Sequence, residues 1–195
     1  MRRNDGFTLL EIVTTVAIIG VVALVAVPSF AAYRRHASLL AEAEQLRSIF
    51  RAARARAIAR NANSGVRFAQ SGSQWTFALY DDGDGDGIRS DDIARGRDRC
   101  YAAPTVLMPQ FHIATFALLP VAIRDPDGDP LSPAAPAVQF GRASLCSFSP
   151  NGAGTPGTAY ITNADGEIFA IRVYGASGKV RVLRYNALRR KWENA

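Results

Sequence analysis

Three carboxylates alternate in the stretch Asp81-Asp82-Gly83-Asp84-Gly85-Asp86-Gly87-Ile88. Asp82, Asp84 and Asp86, with Gly87 next, match the opening of a calcium loop, where alternate side chains converge several oxygens on one hard cation. The full pattern asks for a bidentate acid where Ile93 stands; Asp91 and Asp92 come one or two residues early. A shortened loop would take Asp92 as a fourth ligand, and calcium would then stabilise the loop rather than do chemistry. The other reading is a solvated acidic loop balanced by Arg89, Arg95 and Arg97.

Other reactive side chains are sparse. His36 and His112 are the only histidines, and neither has a second histidine at ligand spacing, so zinc and a histidine-based triad have little support. Cys100 and Cys146 are the only cysteines and form no CxxC. In an oxidising compartment they are expected to pair as a disulfide; the alternative is two buried free thiols. No group of ionisable residues converges in the way a catalytic pocket needs, so the chain does not read as an enzyme, and calcium is the one cofactor weighed.

Cations gather at the C-terminus. From Ile171 to Ala195 there are seven, Arg172, Lys179, Arg181, Arg184, Arg189, Arg190 and Lys191, against Glu193 alone. Gly175-Ala176-Ser177-Gly178 separates two alternating runs and predicts a hairpin with Ala176-Ser177 at its tip. Gly175 would then pair with Gly178, Tyr174 with Lys179 and Arg172 with Arg181, all on one face, while Val173 and Val180 point inward. Opposed arginines repel by about 0.2–1 kcal/mol. A face that keeps this cost beside an aromatic suits phosphate, with Tyr174 stacking on a base or lying along the backbone. Solubility, or contact of the terminal arginines with lipid, would account for the same charges.

These groups must be positioned by 195 residues of net charge +6 and 48% hydrophobic content. That suffices for one domain with a real core and excludes disordered, collagen-like and disulfide-dense classes. From Phe7 to Val27 the chain is a predominantly apolar run in which only Glu11 is ionisable. As a helix this run reaches roughly 30 Å, the thickness of a bilayer core. No Ala-x-Ala site follows it; Val27-Pro28-Ser29-Phe30 does, so the segment is expected to stay and span. Arg2 and Arg3 place its N-terminus on the cytoplasmic side. Glu11 either lies close enough to the headgroups to stay wet, or pairs with an amine on Phe7 of its own or a neighbouring chain, which would make the helix an assembly element.

Ala31 to Arg60 continues as strong helix former without Gly or Pro. Leu39, Ala43, Leu46, Phe50, Ala53 and Ala57 make one apolar stripe that a sheet must cover. Arg47, Arg51 and Arg54 lie on another face, read as solvated or facing anionic headgroups in preference to a nucleic-acid site. Strands are expected at Gly65–Ala69, Trp75–Tyr80, Phe111–Leu119, Ala137–Phe140, Thr158–Thr162, Glu167–Tyr174 and Lys179–Tyr185, with Arg124–Pro136 an irregular loop. The class is therefore α+β, a long N-terminal helix packed on an antiparallel sheet.

Gly6-Phe7-Thr8-Leu9-Leu10-Glu11, followed by the apolar run and Pro28, resembles the class III signal of type IV pilins and type II secretion pseudopilins. The resemblance implies a prepilin peptidase that cuts between Gly6 and Phe7 and methylates Phe7, with Glu11 and Pro28 serving assembly. It divides the chain into a leader at 1–6, a membrane and assembly helix at 7–30, and an extracytoplasmic pilin domain at 31–195, helical over 31–60 and β-rich over 65–190. The stretch from Leu46 to Phe68 is similar to the segment that closes the long helix in the GspH/FimT minor-pilin family. Phe148-Ser149-Pro150-Asn151-Gly152 and Gly178-Lys179-Val180-Arg181 also look like family stretches, the latter like the GRxR motif of DNA-binding members with Lys179 in place of the first arginine. The resemblance further implies a single-pass inner-membrane subunit with its C-terminal domain in the periplasm, entering a filament or its tip. Its partners would be other major and minor pilins or pseudopilins, the prepilin peptidase and the inner-membrane assembly platform. DNA would be held, without sequence preference, by Lys179, Arg181, Arg172, Tyr174 and Arg184. The runner-up is a minor pseudopilin of type II secretion. Val27-Pro28-Ser29-Phe30 and the basic tail favour the pilus.

Overall fold

The computed structural model describes residues 8–72, 74–106, 114–141, 143–163 and 165–195. The expected cut between Gly6 and Phe7, Arg2, Arg3 and His112 lie outside them. The chain divides into two compact units, Met1–Ala37 and Ser38–Ala195.

In the first unit the helix α1 (Leu9–Arg60) begins. Thr8 caps it: the backbone N–H of Glu11 donates to Thr8 Oγ1 at 3.2 Å. Thr8 at the cap and Glu11 three residues on are the residue types of a capping box, and Glu11 sits where the positive end of the helix favours an anion. Thr15 Oγ1 donates back to the Glu11 carbonyl at 2.6 Å. The helix continues through Pro28. Leu9, Val16, Ile19 and Leu24 are exposed here. By length and composition it is long and apolar enough to cross a membrane.

In the second unit the rest of α1 carries the apolar stripe. Leu39, Ala43, Leu46, Phe50, Ala53 and Ala57 are all 0% exposed. Two antiparallel sheets meet this stripe in one core. The first contains β1 (Ser64–Ser71), β2 (Gln74–Asp81), β3 (Arg99–Val106) and β8 (Leu145–Phe148), in the order β3-β2-β1-β8. The second has the order β12-β11-β10-β9-β4, made of β4 (Ala114–Thr115), β9 (Gly157–Asn163), β10 (Ile168–Tyr174), β11 (Lys179–Asn186) and β12 (Lys191–Asn194), with β7 (Val138–Gln139) also on β9. Phe50 is the hub, with ring centroids 5.8 Å from Phe68, 5.3 Å from Phe140 and 6.4 Å from Phe148. Arg56 ties the helix end to the first sheet by donating to both Asp81 oxygens at 2.8 and 2.6 Å.

The far face of the second sheet is also covered. Leu119 and Leu131 pack on Tyr160, Ile168, Ala170 and Leu183, with Ile123, Tyr185 and Trp192 at the margin. Within the stretch expected to be irregular, β5 (Ile123–Arg124) pairs with β6 (Pro130–Leu131). Pro130 enters this ladder because the hairpin is two residues deep and has no further strand beyond it, so the missing N–H costs nothing. The strand expected over Phe111–Leu119 reduces, among the described residues, to Ala114–Thr115. β3, β8, β12 and the short helix α2 (Ser90–Arg95) are further additions to the expected elements.

The expected disulfide does not form: Cys100 and Cys146 are both free, the first exposed and the second buried. The sheet order explains this. Cys146 on β8 aligns with Val66 on β1, which aligns with Leu79 on β2, which aligns with Ala102 on β3, two residues from Cys100. Three strand spacings separate the thiols by about 14 Å, far beyond the Cα separation a disulfide spans.

Candidate functional site

The β10–β11 hairpin places the C-terminal cations. Its register pairs Arg172 with Arg181, Val173 with Val180 and Tyr174 with Lys179, as the alternation predicts. The ladder closes at Tyr174–Lys179, and the turn is four residues, Gly175 to Gly178, sealed by the Gly178 N–H donating to the Tyr174 carbonyl at 2.7 Å. Gly178 is required there twice over. Its φ is +59°, and a Cβ would lie 2.0 Å from the Gly152 carbonyl oxygen and 2.8 Å from Arg54 Nε.

Val173, Val180 and Val182 enter the core beneath α1. By strand alternation Arg172, Tyr174, Lys179 and Arg181 share the other face. The two opposed arginines are not equivalent. Arg172 is mostly buried; it donates to Thr158 Oγ1 at 2.9 Å and forms an ion pair with Asp127 in the turn between β5 and β6. Lys179 and Arg181 are exposed, and neither has a carboxylate partner among the described residues. The half-exposed Tyr174 ring has its centroid 5.8 Å from the guanidinium carbon of Arg172 and 5.7 Å from that of Arg181, within cation–π range of both. A groove of about 510 Å³ opens over Tyr174, Ser177, Lys179 and Arg181, with no acid in its lining.

Arg184 does not join this face. It aligns with Phe169, a core residue under α1, and with Glu193 on β12, so its side chain leaves the sheet on the opposite side from Arg181. Arg189 is paired with Glu193 at 3.2 Å. The usable set is thus Tyr174, Lys179 and Arg181, with Arg172 held in reserve. Asp127, the residue that decides this, was visible as part of Asp125-Pro126-Asp127-Gly128-Asp129, but nothing local connects that run to a strand 45 residues later.

Asp82, Asp84 and Asp86 bring one oxygen each to within 4.8 Å of one another. Asp82 is largely occupied by its own loop: it accepts from Asn63 Nδ2 at 2.7 Å and from the N–H groups of Gly85 and Gly87 at 2.7 and 2.9 Å. Burial pushes its carboxyl up, but these hydrogen bonds outweigh burial and hold it below its ordinary value. The buried Asp92 is outside the cluster. It faces Arg97 Nη1 at 3.3 Å and Arg95 Nη1 at 3.9 Å.

Comparison with known families bears on two stretches of the chain. A model described as the prokaryotic N-terminal methylation motif matches residues 1–27. A second, described as type II transport protein GspH, matches residues 42–184, which includes the core stripe from Ala43 onward, both sheets up to β11, and the hairpin. No curated relative and no solved structure gives a significant match.

Proposed function

The chain belongs to the GspH family of type IV pilin-like proteins, and from that premise we propose that it is a minor pilin of a type IV pilus. In this reading it helps to initiate or cap the filament and holds DNA by its phosphates. The family is structural and non-enzymatic. Membership carries with it other pilins or pseudopilins as neighbours, a prepilin peptidase, and an inner-membrane anchor formed by the N-terminal helix. Cleavage between Gly6 and Phe7, methylation of Phe7, a role for Glu11 and Pro28 in assembly, and a periplasmic C-terminal domain are parts of the proposal.

The observation that carries the DNA reading is the pair of uncompensated cations, Lys179 and Arg181, beside Tyr174 on a hairpin whose other face is core. Such a face presents positive charge at fixed spacing with an aromatic platform, the combination suited to a nucleic-acid strand. Lys179 would meet phosphate as a point charge without bidentate geometry, and phosphate contacts carry no base information, so recognition should be insensitive to sequence. The test is an equilibrium titration of the full-length protein in neutral detergent with a short DNA duplex. Lys179→Gln with Arg181→Gln should weaken binding and reduce the salt dependence by about two phosphate contacts. Unchanged binding by the double variant would remove the DNA reading.

The second reading, a minor pseudopilin of type II secretion, is favoured by the description of the matching family itself. Deleting the gene separates the two. Loss of piliation with normal exoprotein secretion supports the pilus; the reverse supports secretion.

A further inference from the structure

On the opposite side of the hairpin turn lies a second groove, also of about 510 Å³, between the C-terminal part of α1 and the β10–β11 turn. Arg51, Arg54 and Lys179 contribute its charge; Ala55, Ile58 and Ser177 complete the lining that matters here, and no acid is present in it. The two helix arginines among them, Arg51 and Arg54, differ from Arg47, Arg56 and Arg60 on the same helix. Arg47 is paired with Glu44 at 2.5 Å, and Arg56 and Arg60 both reach Asp81. Arg51 is exposed, and neither it nor Arg54 has a carboxylate partner among the described residues.

Arg54 is also held in place. Its Nε donates to the Gly152 carbonyl at 2.9 Å. The guanidinium fills the space that a Cβ on Gly152 or Gly178 would need, since Nη2 and Nε lie 2.9 and 2.8 Å from those positions. A planar cation fixed by one backbone carbonyl, with its remaining donors uncommitted, is prepared for an oxyanion. Lys179 lines both this groove and the one over Tyr174. The two therefore adjoin at the turn, and a polyanion with regularly spaced charges can reach both where a single small anion cannot.

We propose that Arg51 and Arg54 form a second phosphate subsite, so that a nucleic-acid backbone bound on the hairpin passes around its turn and into the groove against α1. This deepens the DNA reading above and rests on it. It assigns a role to helix arginines that sequence pattern alone places in solvent or near headgroups.

The experiment compares salt-dependent duplex binding of the full-length protein with Arg51→Gln and Arg51→Lys, alongside the Lys179→Gln, Arg181→Gln double variant. Arg51 carries no described contact of the fold, so its replacement should leave the melting temperature unchanged. The expected result is several-fold weaker binding by Arg51→Gln, a slope of log K against log salt shallower by about 0.9, and recovery of the slope in Arg51→Lys. A wild-type slope in Arg51→Gln, with the double variant impaired, overturns the groove and leaves the hairpin reading standing. Failure of the wild type to bind at low salt overturns both.

Discussion

Asp127 reaches from the β5–β6 turn to Arg172 on β10, so that of two arginines standing directly opposite each other only Arg181 keeps an unbalanced charge. The repulsion inherent in the Arg172–Arg181 pair is thereby relieved from within. The acidic hairpin acts as an internal counter-ion at the margin of the basic face.

Removing that counter-ion should strengthen DNA binding. Asp127→Asn leaves Arg172 its bond to Thr158 but frees its charge. Affinity for duplex DNA should rise several-fold at low salt, and the salt slope should steepen by up to about 0.9. Unchanged affinity and slope would mean that Arg172 cannot reach a phosphate.

The turn should tolerate no side chain at its last position. Gly178→Ala places a Cβ against the Gly152 carbonyl and strains a left-handed φ. A loss of about 1–3 kcal/mol is expected from these two effects together, read as a lower urea midpoint. Because Arg54 also packs there, DNA affinity should fall with stability. Ala-like tolerance at this position would contradict the described turn.

Glu42 supplies a pH dependence. It is 3% exposed, and neither carboxylate oxygen has a described partner. Burial raises its pKa from an ordinary 4.5 to about 7. The folded state then holds the proton more tightly than the unfolded one. This contribution is fully present below about pH 4.5 and is lost as pH rises through about 7. Glu42→Gln should therefore raise the melting temperature by a few degrees above pH 7 and flatten its decline between about pH 4.5 and 7. A variant that melts lower than wild type at pH 8 would show that the ionised carboxylate has a partner.

The thiols give a direct check on the sheet order. Cys100 is exposed, whereas Cys146 is buried and its thiol is pushed well above its usual range by that burial. A thiol reagent should label Cys100 alone in the native protein and both residues in denaturant without reductant. Finding no thiol after denaturation would restore the disulfide.

The elements that sequence displays best are those with a period. The stripe from Leu39 to Ala57 is legible because apolar residues every three or four positions must share a helix face, and all six are fully buried. The β10–β11 register is legible because alternation about Gly175 and Gly178 leaves one way to put Val173 and Val180 inside. β3 is not, since it is exposed along much of its length, contains Pro104 and shows no alternation. Arg184, three residues after Arg181, falls on the opposite face by the same alternation; its charge alone put it in the set. The Asp127–Arg172 pair and the Arg54–Gly152 contact join residues 45 and 98 positions apart, and only the packed fold brings them together.

The most direct test is the salt dependence of duplex binding by the unmodified full-length protein. Lys179, Arg181 and Arg51 acting together predict a slope of log K against log salt of about −2.7, steeper if Arg54 takes a further phosphate. A slope near zero, or no binding at low ionic strength, would contradict a phosphate-binding role for the hairpin.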